Sequence, residues 1–90
     1  MREASVKVLN RLGLHARAAA QLVRLANEFK SRIIITRNDT NAFADAKSIL
    51  SILTLAASMG TTLFVSVDGD DAEAALIAVQ DLFLGRFGEN

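Results

Sequence analysis

Valines at positions 6 and 8 alternate with Ser5 and Lys7, the two-residue period of a strand with one covered face. The period then lengthens. Beyond a loop, Asn10-Arg11-Leu12-Gly13-Leu14-His15, the apolar residues Ala19, Leu22, Val23, Ala26 and Phe29 share one side of a helix drawn over Ala16–Phe29. Arg17, Gln21, Arg24 and Glu28 share the other. Isoleucine-rich Arg32–Arg37 reads as a strand, Asn38-Asp39-Thr40-Asn41 as a turn, and Ala42–Ala44 as a short strand. Ser48–Leu55 fits a short helix capped by Ser48 or Asp45. Gly60 ends that connection, Thr61–Val67 alternates again, and Asp68-Gly69 turns the chain. Asp70 with Glu73 has the form of a capping box with Asp in the serine place. The last helix runs to about Leu84, with Gly85 as its stop.

The resulting order, β-α-β-β-α-β-α, predicts an α+β domain of two layers, a sheet with helices on one face. Residues 1–90 form one domain with one core. Strand parity places Val6, Val8, Ile33, Ile35, Ala42, Ala44, Leu63, Val65 and Val67 under the helices. Pattern alone does not fix the strand order, and a ferredoxin-like βαββαβ sheet stays open.

Composition narrows the chemistry. Ten basic residues balance ten acidic ones, so no general nucleic-acid binder is expected. Without cysteine there is neither a disulfide nor a thiolate metal site. A single histidine leaves only carboxylates as further ligands, so no metal and no cofactor are expected. No apolar run is long enough to span a membrane, and the start of the chain lacks a signal-peptide pattern, which points to the cytoplasm.

That histidine, His15, falls where a loop becomes a helix. The amides of Ala16, Arg17 and Ala18 lack intrahelical acceptors and lie at the positive end of the helix dipole, a setting that favours an anion. Arg17 adds a charge and a donor fork suited to phosphate. An imidazole there is a competent nucleophile near neutral pH. A histidine that merely caps a helix fits the same pattern, and spacing alone does not separate the two.

The segment Gly13-Leu14-His15-Ala16-Arg17-Ala18-Ala19 resembles the active-site signature of the HPr family, the histidine-containing phosphocarriers of the phosphoenolpyruvate:sugar phosphotransferase system. Lys47-Ser48-Ile49-Leu50 is similar to that family's regulatory serine segment, and the likeness runs from about Ser5 to Leu84. It implies an open-faced sandwich: a four-stranded antiparallel sheet in the order 1-4-2-3 under three helices. It also implies that His15 takes a phosphoryl group on Nδ1 from enzyme I and passes it to an enzyme IIA of a sugar or nitrogen branch. Arg17 and the helix amides would hold the phosphate, making the protein a stoichiometric carrier without turnover of its own. Ser48 would be the site of an HPr kinase/phosphorylase, a role compatible with capping. Docking would use Gln21, Arg24, Ile49, Leu50 and Leu53 beside Arg17, with Leu25 at the margin. Ile49 and Ile52 could equally pack inward.

Three departures from the family pattern stand out: Ala18 at a usual proline, Ala56 at a common glycine, and a longer Asn38–Asn41 turn. Parity with the implied order also sends Leu9, Phe64, Ile34 and Phe43 to the bare face as one apolar row. Such a row suggests cover by a weak homodimer, or by Phe87 folding back. Two other readings of the chain are a mainly regulatory paralogue that binds a kinase or transcription factor, and a ferredoxin-like ligand module.

Overall fold

The alternating segments pair into one sheet and the longer-period segments become helices. The computed structural model describes residues 1–89; Asn90, the last residue of the expected domain, lies outside the described residues. In chain order the elements are β1 (Arg2–Lys7), α1 (Ala16–Ala26), β2 (Arg32–Arg37), β3 (Ala42–Asp45), α2 (Ile49–Leu53), β4 (Thr62–Asp68) and α3 (Ala72–Leu84). A short turn, Arg86–Gly88, follows. All strand pairs are antiparallel, in the order β1-β4-β2-β3, as the family resemblance implies and unlike a ferredoxin-like domain.

Val6, Val8, Ile33, Ile35, Ala44, Leu63, Val65 and Val67 are buried under the helices. Of the residues assigned to that face by parity, only Ala42 is partly exposed, at the sheet edge. Ala18, Ala19, Leu22 and Ala26 of α1, Ile52 of α2, and Ala75, Val79 and Phe83 of α3 close the core from the other side. Burying a Leu, Ile, Val or Phe side chain stabilises by roughly 1.5–3 kcal/mol, so this single layer of contacts supplies most of what holds the sheet to its helices.

Several boundaries differ from the pattern. α1 ends at Ala26 because Asn27 folds its amide back onto the Val23 carbonyl at 2.8 Å. Phe29 still packs on the core from the loop beyond. α2 is a short helix, and its cap is Ser48, whose hydroxyl accepts from the Ser51 amide; Asp45 instead accepts from the Lys47 amide at 2.9 Å. The turn that follows α2 ends at Ala56, which holds φ +48°, and the Arg37 guanidinium donates to the carbonyls of Leu55 and Ala56, both at 2.9 Å. That φ accounts for glycine being common at this position, because a Cβ in left-handed backbone costs roughly 1–2 kcal/mol.

The expected Asp70–Glu73 capping box is not made. Asp71 is the residue before α3, and its carboxylate turns away from that helix to accept from the Lys30 amide (2.8 Å), the Ser31 amide (2.9 Å) and the Ser31 hydroxyl. Asp71 thus ties the start of α3 to the loop before β2. The Ser31 hydroxyl first, then the Lys30 amide, hold its carboxyl below the ordinary value. A carboxyl depressed in the folded state contributes stability above its unfolded value and loses it as pH falls through the folded one. Asp71→Asn should therefore lower Tm at neutral pH. The gap from the parent should close on acidification below about pH 3.9, the usual aspartate value. Thermal melts across that range measure it, and a gap that is constant with pH would assign the effect to something other than the carboxylate charge.

The expected apolar row on the bare face is corrected by the strand register. Phe64 stands opposite Ser5 on β1 and Thr36 on β2, and Thr36 stands opposite Phe43. Ile34 belongs to the next row, between Ser66 and Asp45. Leu9 is not on this face: β1 ends at Lys7, and Leu9 turns into a cleft of about 290 Å³ beside Gln80, Phe83 and Leu84 of α3. Phe87 does fold back, but onto the helical side. It is buried against Phe83 in an edge-to-face pair with ring centroids 4.9 Å apart. The bare face keeps two separated aromatic rings, Phe43 at 71% exposure and Phe64 at 41%.

Candidate functional site

Gly13 sets the entry to α1. Its φ is +68°, and a Cβ there would stand 2.5 Å from the Ala57 carbonyl oxygen and 2.9 Å from the Ser58 Cα. Only glycine lets the loop lie this close to the chain that leaves α2. The next residue, Leu14, is buried, and its amide donates to the Ala57 carbonyl at 2.9 Å. The backbone under the histidine is therefore pinned on both sides.

His15 is the N-cap of α1, in extended backbone, and its carbonyl accepts from the Ala19 amide at 2.8 Å. Its side chain caps as well: Nδ1 accepts from the Arg17 amide at 3.3 Å. An amide can only donate, so Nδ1 presents a lone pair and the proton of the neutral ring belongs on Nε2. Nε2 lies 2.7 Å from Oε2 of Glu89 and donates to it. The other Glu89 oxygen accepts from the Asn10 side-chain amide at 3.0 Å, and that amide also donates to the Gly13 carbonyl at 2.8 Å. The Asn10 amide first, then the His15 ring and the Arg17 charge, hold the Glu89 carboxyl below its ordinary value.

The segment carrying Glu89 is anchored independently. Phe87 is buried, and its carbonyl accepts from the Gln21 side chain at 3.0 Å. Beside the histidine lies an open cleft of about 330 Å³ lined by Arg11, Leu12, Arg17 and Glu89. Arg17 is exposed and forms no ion pair within 4.0 Å among the described residues, so its guanidinium is available to an anion at the ring.

The residues singled out from sequence are thus partly brought together. His15, Arg17 and the exposed Ala16 form one spot at the start of α1. Ala18 turns its side chain wholly into the core, so it could offer an anion only its amide. Arg24 is exposed on the polar face of α1, whereas Gln21 is half-buried and engaged with Phe87. Ile49, Leu50 and Leu53 are exposed at 39%, 74% and 36%, while Ile52 is fully buried, which separates the two residues the sequence left together. Leu25 is half-buried and packs against the core. Glu89, Asn10 and the exposed Leu12 belong to the site and went unremarked as such. A tail glutamate carries no local signal of what it meets.

No helix of the described residues is long and apolar enough to cross a membrane, and no cluster of three or more histidine or carboxylate side chains could hold a metal among them. Fold and site together define a small open-faced sandwich that presents one imidazole nitrogen lone pair at a helix start, with the other nitrogen tied down. A family model described as the PTS HPr component phosphorylation site matches residues 2–84. The phosphocarrier protein HPr of Neisseria meningitidis serogroup A is 40% identical over 89 residues, 99% of this chain and 98% of that one. A crystal structure of HPr from Thermoanaerobacter tengcongensis superposes with TM-score 0.94 at 40% identity, covering 100% of this chain and 99% of the other. A dimer structure of HPr from the same organism, also 40% identical, covers 99% and 100% with TM-score 0.77. The chain belongs to the HPr family of phosphocarrier proteins of the phosphotransferase system.

Proposed function

We propose that this protein accepts a phosphoryl group on Nδ1 of His15 from phosphorylated enzyme I and passes it to an enzyme IIA of a sugar or nitrogen-related branch, in the cytoplasm. The observation that carries the reading is the ring's orientation: Nδ1 faces the Arg17 amide with its lone pair while Nε2 is engaged by Glu89. A phosphoryl group on Nδ1 would meet the first amides of α1, the helix dipole and the Arg17 guanidinium. Transfer then needs in-line positioning and charge stabilisation rather than a separate base. The exposed apolar residues Leu50, Ile49 and Leu53, with Arg17 and Arg24 nearby in the fold's helical layer, are the docking surface of this reading, suited to partners with an acidic rim.

Incubation with enzyme I and radiolabelled phosphoenolpyruvate should give acid-labile, base-stable label on this chain. Absence of label from a folded sample would refute the carrier reading. Arg17→Ala should slow transfer tenfold or more, about 1.4 kcal/mol. An unchanged rate together with a lowered Tm would make Arg17 structural.

Ser48 is the proposed target of an HPr kinase/phosphorylase. Its capping hydroxyl is directly followed by Ile49 and Leu50, so a phosphate there would put about two negative charges on the docking surface. We also propose weak self-association through the bare face, now centred on Phe43 and Phe64. Sedimentation from micromolar to millimolar protein should show a concentration-dependent shift that Phe64→Ser removes. A parent that stays monomeric throughout, or a shift that survives the substitution, would exclude this face.

A further inference from the structure

Glu89 has no place in the carrier reading derived so far, yet it makes the shortest polar contact of the His15 ring. It is held from three directions. Asn10 is wholly buried and grips the second carboxylate oxygen. Phe87 is locked against Phe83. Gln21 grips the Phe87 carbonyl. The Asn10 amide is oriented by two acceptors at once, Gly13 O and Glu89 Oε1, while its own oxygen finds no partner among the described residues. The Asn10 amine is therefore committed to the Gly13 carbonyl and the Glu89 carboxylate, and the carboxylate is fixed before any partner arrives.

We propose that Glu89 is a positioning residue for phosphoryl transfer: by accepting the Nε2 proton of His15 it reserves Nδ1 as the only nucleophilic ring nitrogen and offsets the charge the ring acquires. This rests on the carrier reading and adds the device that selects the nitrogen. An isolated imidazole exchanges its proton between two nitrogens, and either lone pair can attack phosphorus. Here the Nε2–H tautomer gains a carboxylate acceptor on one side and an amide donor on the other, whereas the Nδ1–H tautomer would set two donors face to face at Nδ1 and two acceptors at Nε2.

The chemistry balances without a proton leaving the site. The Nδ1 lone pair forms a bond to phosphorus, and the phosphorus–nitrogen bond of the donor breaks with its electron pair leaving on the donor nitrogen. Nε2 keeps its proton. The His15 ring becomes an imidazolium carrying the phosphoryl group, and a phosphohistidine donor returns from imidazolium to neutral imidazole. The new positive charge lies 2.7 Å from Glu89, an arrangement with the logic of a carboxylate behind a catalytic histidine. Among the described residues, the charged groups facing Glu89 are those of His15, Arg17 and Arg11, all cations or donors.

The test reads the ring directly. Long-range proton–nitrogen NMR correlations of the full chain at a pH where the ring is neutral should show His15 predominantly as the Nε2–H tautomer. Glu89→Ala should shift the population toward a mixture. Reaction with potassium phosphoramidate, which releases ammonia and needs no partner protein, should modify Nδ1 in the parent. It should yield at least severalfold more Nε2 product in Glu89→Ala, the isomers being resolved by phosphorus NMR. With enzyme I as donor, Glu89→Ala should be phosphorylated about tenfold more slowly. The same tautomer in parent and Glu89→Ala would overturn the proposal, as would an unchanged isomer ratio or faster labelling of Glu89→Ala by enzyme I. A parent with the expected tautomer that enzyme I fails to label would instead count against the carrier reading and leave the ring's positioning standing.

Discussion

His15→Ala is expected to lose acid-labile phosphorylation completely while keeping the fold. No other imidazole exists to take the group, since His15 is the only histidine. The structural loss is small. The backbone carbonyl of residue 15 would still accept from Ala19, and Leu14 would still fill the core below it. What disappears is one long side-chain cap at 3.3 Å and the contact to Glu89. Losing a cap costs about 0.5–2 kcal/mol, so the melting transition should stay cooperative and fall by roughly 2–16 °C. The measurement pairs enzyme I labelling with a thermal melt of the same sample. Residual acid-labile label in the variant would overturn the assignment of His15.

Gly13→Ala is expected to be the most damaging single methyl that can be added near the site. Two costs coincide there. The φ of +68° is left-handed, which penalises a Cβ by roughly 1–2 kcal/mol. The Cβ would also meet main-chain atoms of Ala57 and Ser58 at 2.5 and 2.9 Å, neither of which can rotate away. Overpacking of this kind costs roughly 1–3 kcal/mol, so a loss of about 2–5 kcal/mol is expected by chemical denaturation. The way the strain relaxes matters for function. If the loop lifts, His15 leaves the Arg17 amide, and transfer should fall along with stability. A variant of parental stability would mean that the approach of Gly13 to Ala57 is looser than it stands.

The elements were legible because apolar parity and turn residues agree along most of the chain. Val6, Ile33, Ile35, Leu63, Val65 and Val67 all lie under the helices where alternation put them. The strand order came from the family resemblance and not from the pattern, since parity says which face a residue takes and nothing about which strand is its neighbour. The expected row shows the same limit: Ile34 faces the right way but stands two pairs along the ladder from Phe64. Asp71 eluded a capping rule because its best donors, Lys30 and Ser31, are distant in sequence. At the site, His15, Arg17 and Gly13 could be picked out because their roles are local to a helix start. Glu89 and Asn10 could not, because their meaning depends on a tail anchored by Phe87 against α3. Ala56, whose place at a common glycine has no evident consequence in the sequence, holds left-handed backbone at the end of the turn that follows α2.

The atom proposed to receive the phosphoryl group, Nδ1, is the same atom that now closes α1 by accepting from the Arg17 amide. On loading, phosphoryl oxygens can replace the ring nitrogen as that amide's acceptor without any element changing place. The empty and charged forms would then have nearly the same outline, and a partner could tell donor from recipient only by the electric charge at one point on a shared surface. Both could dock on either form, so the direction of phosphoryl flow would follow the relative energies of the phosphorylated proteins and not a shape that opens or closes. The Arg17 amide proton, whose acceptor changes in that exchange, would report by its NMR frequency what fraction of the pool is loaded.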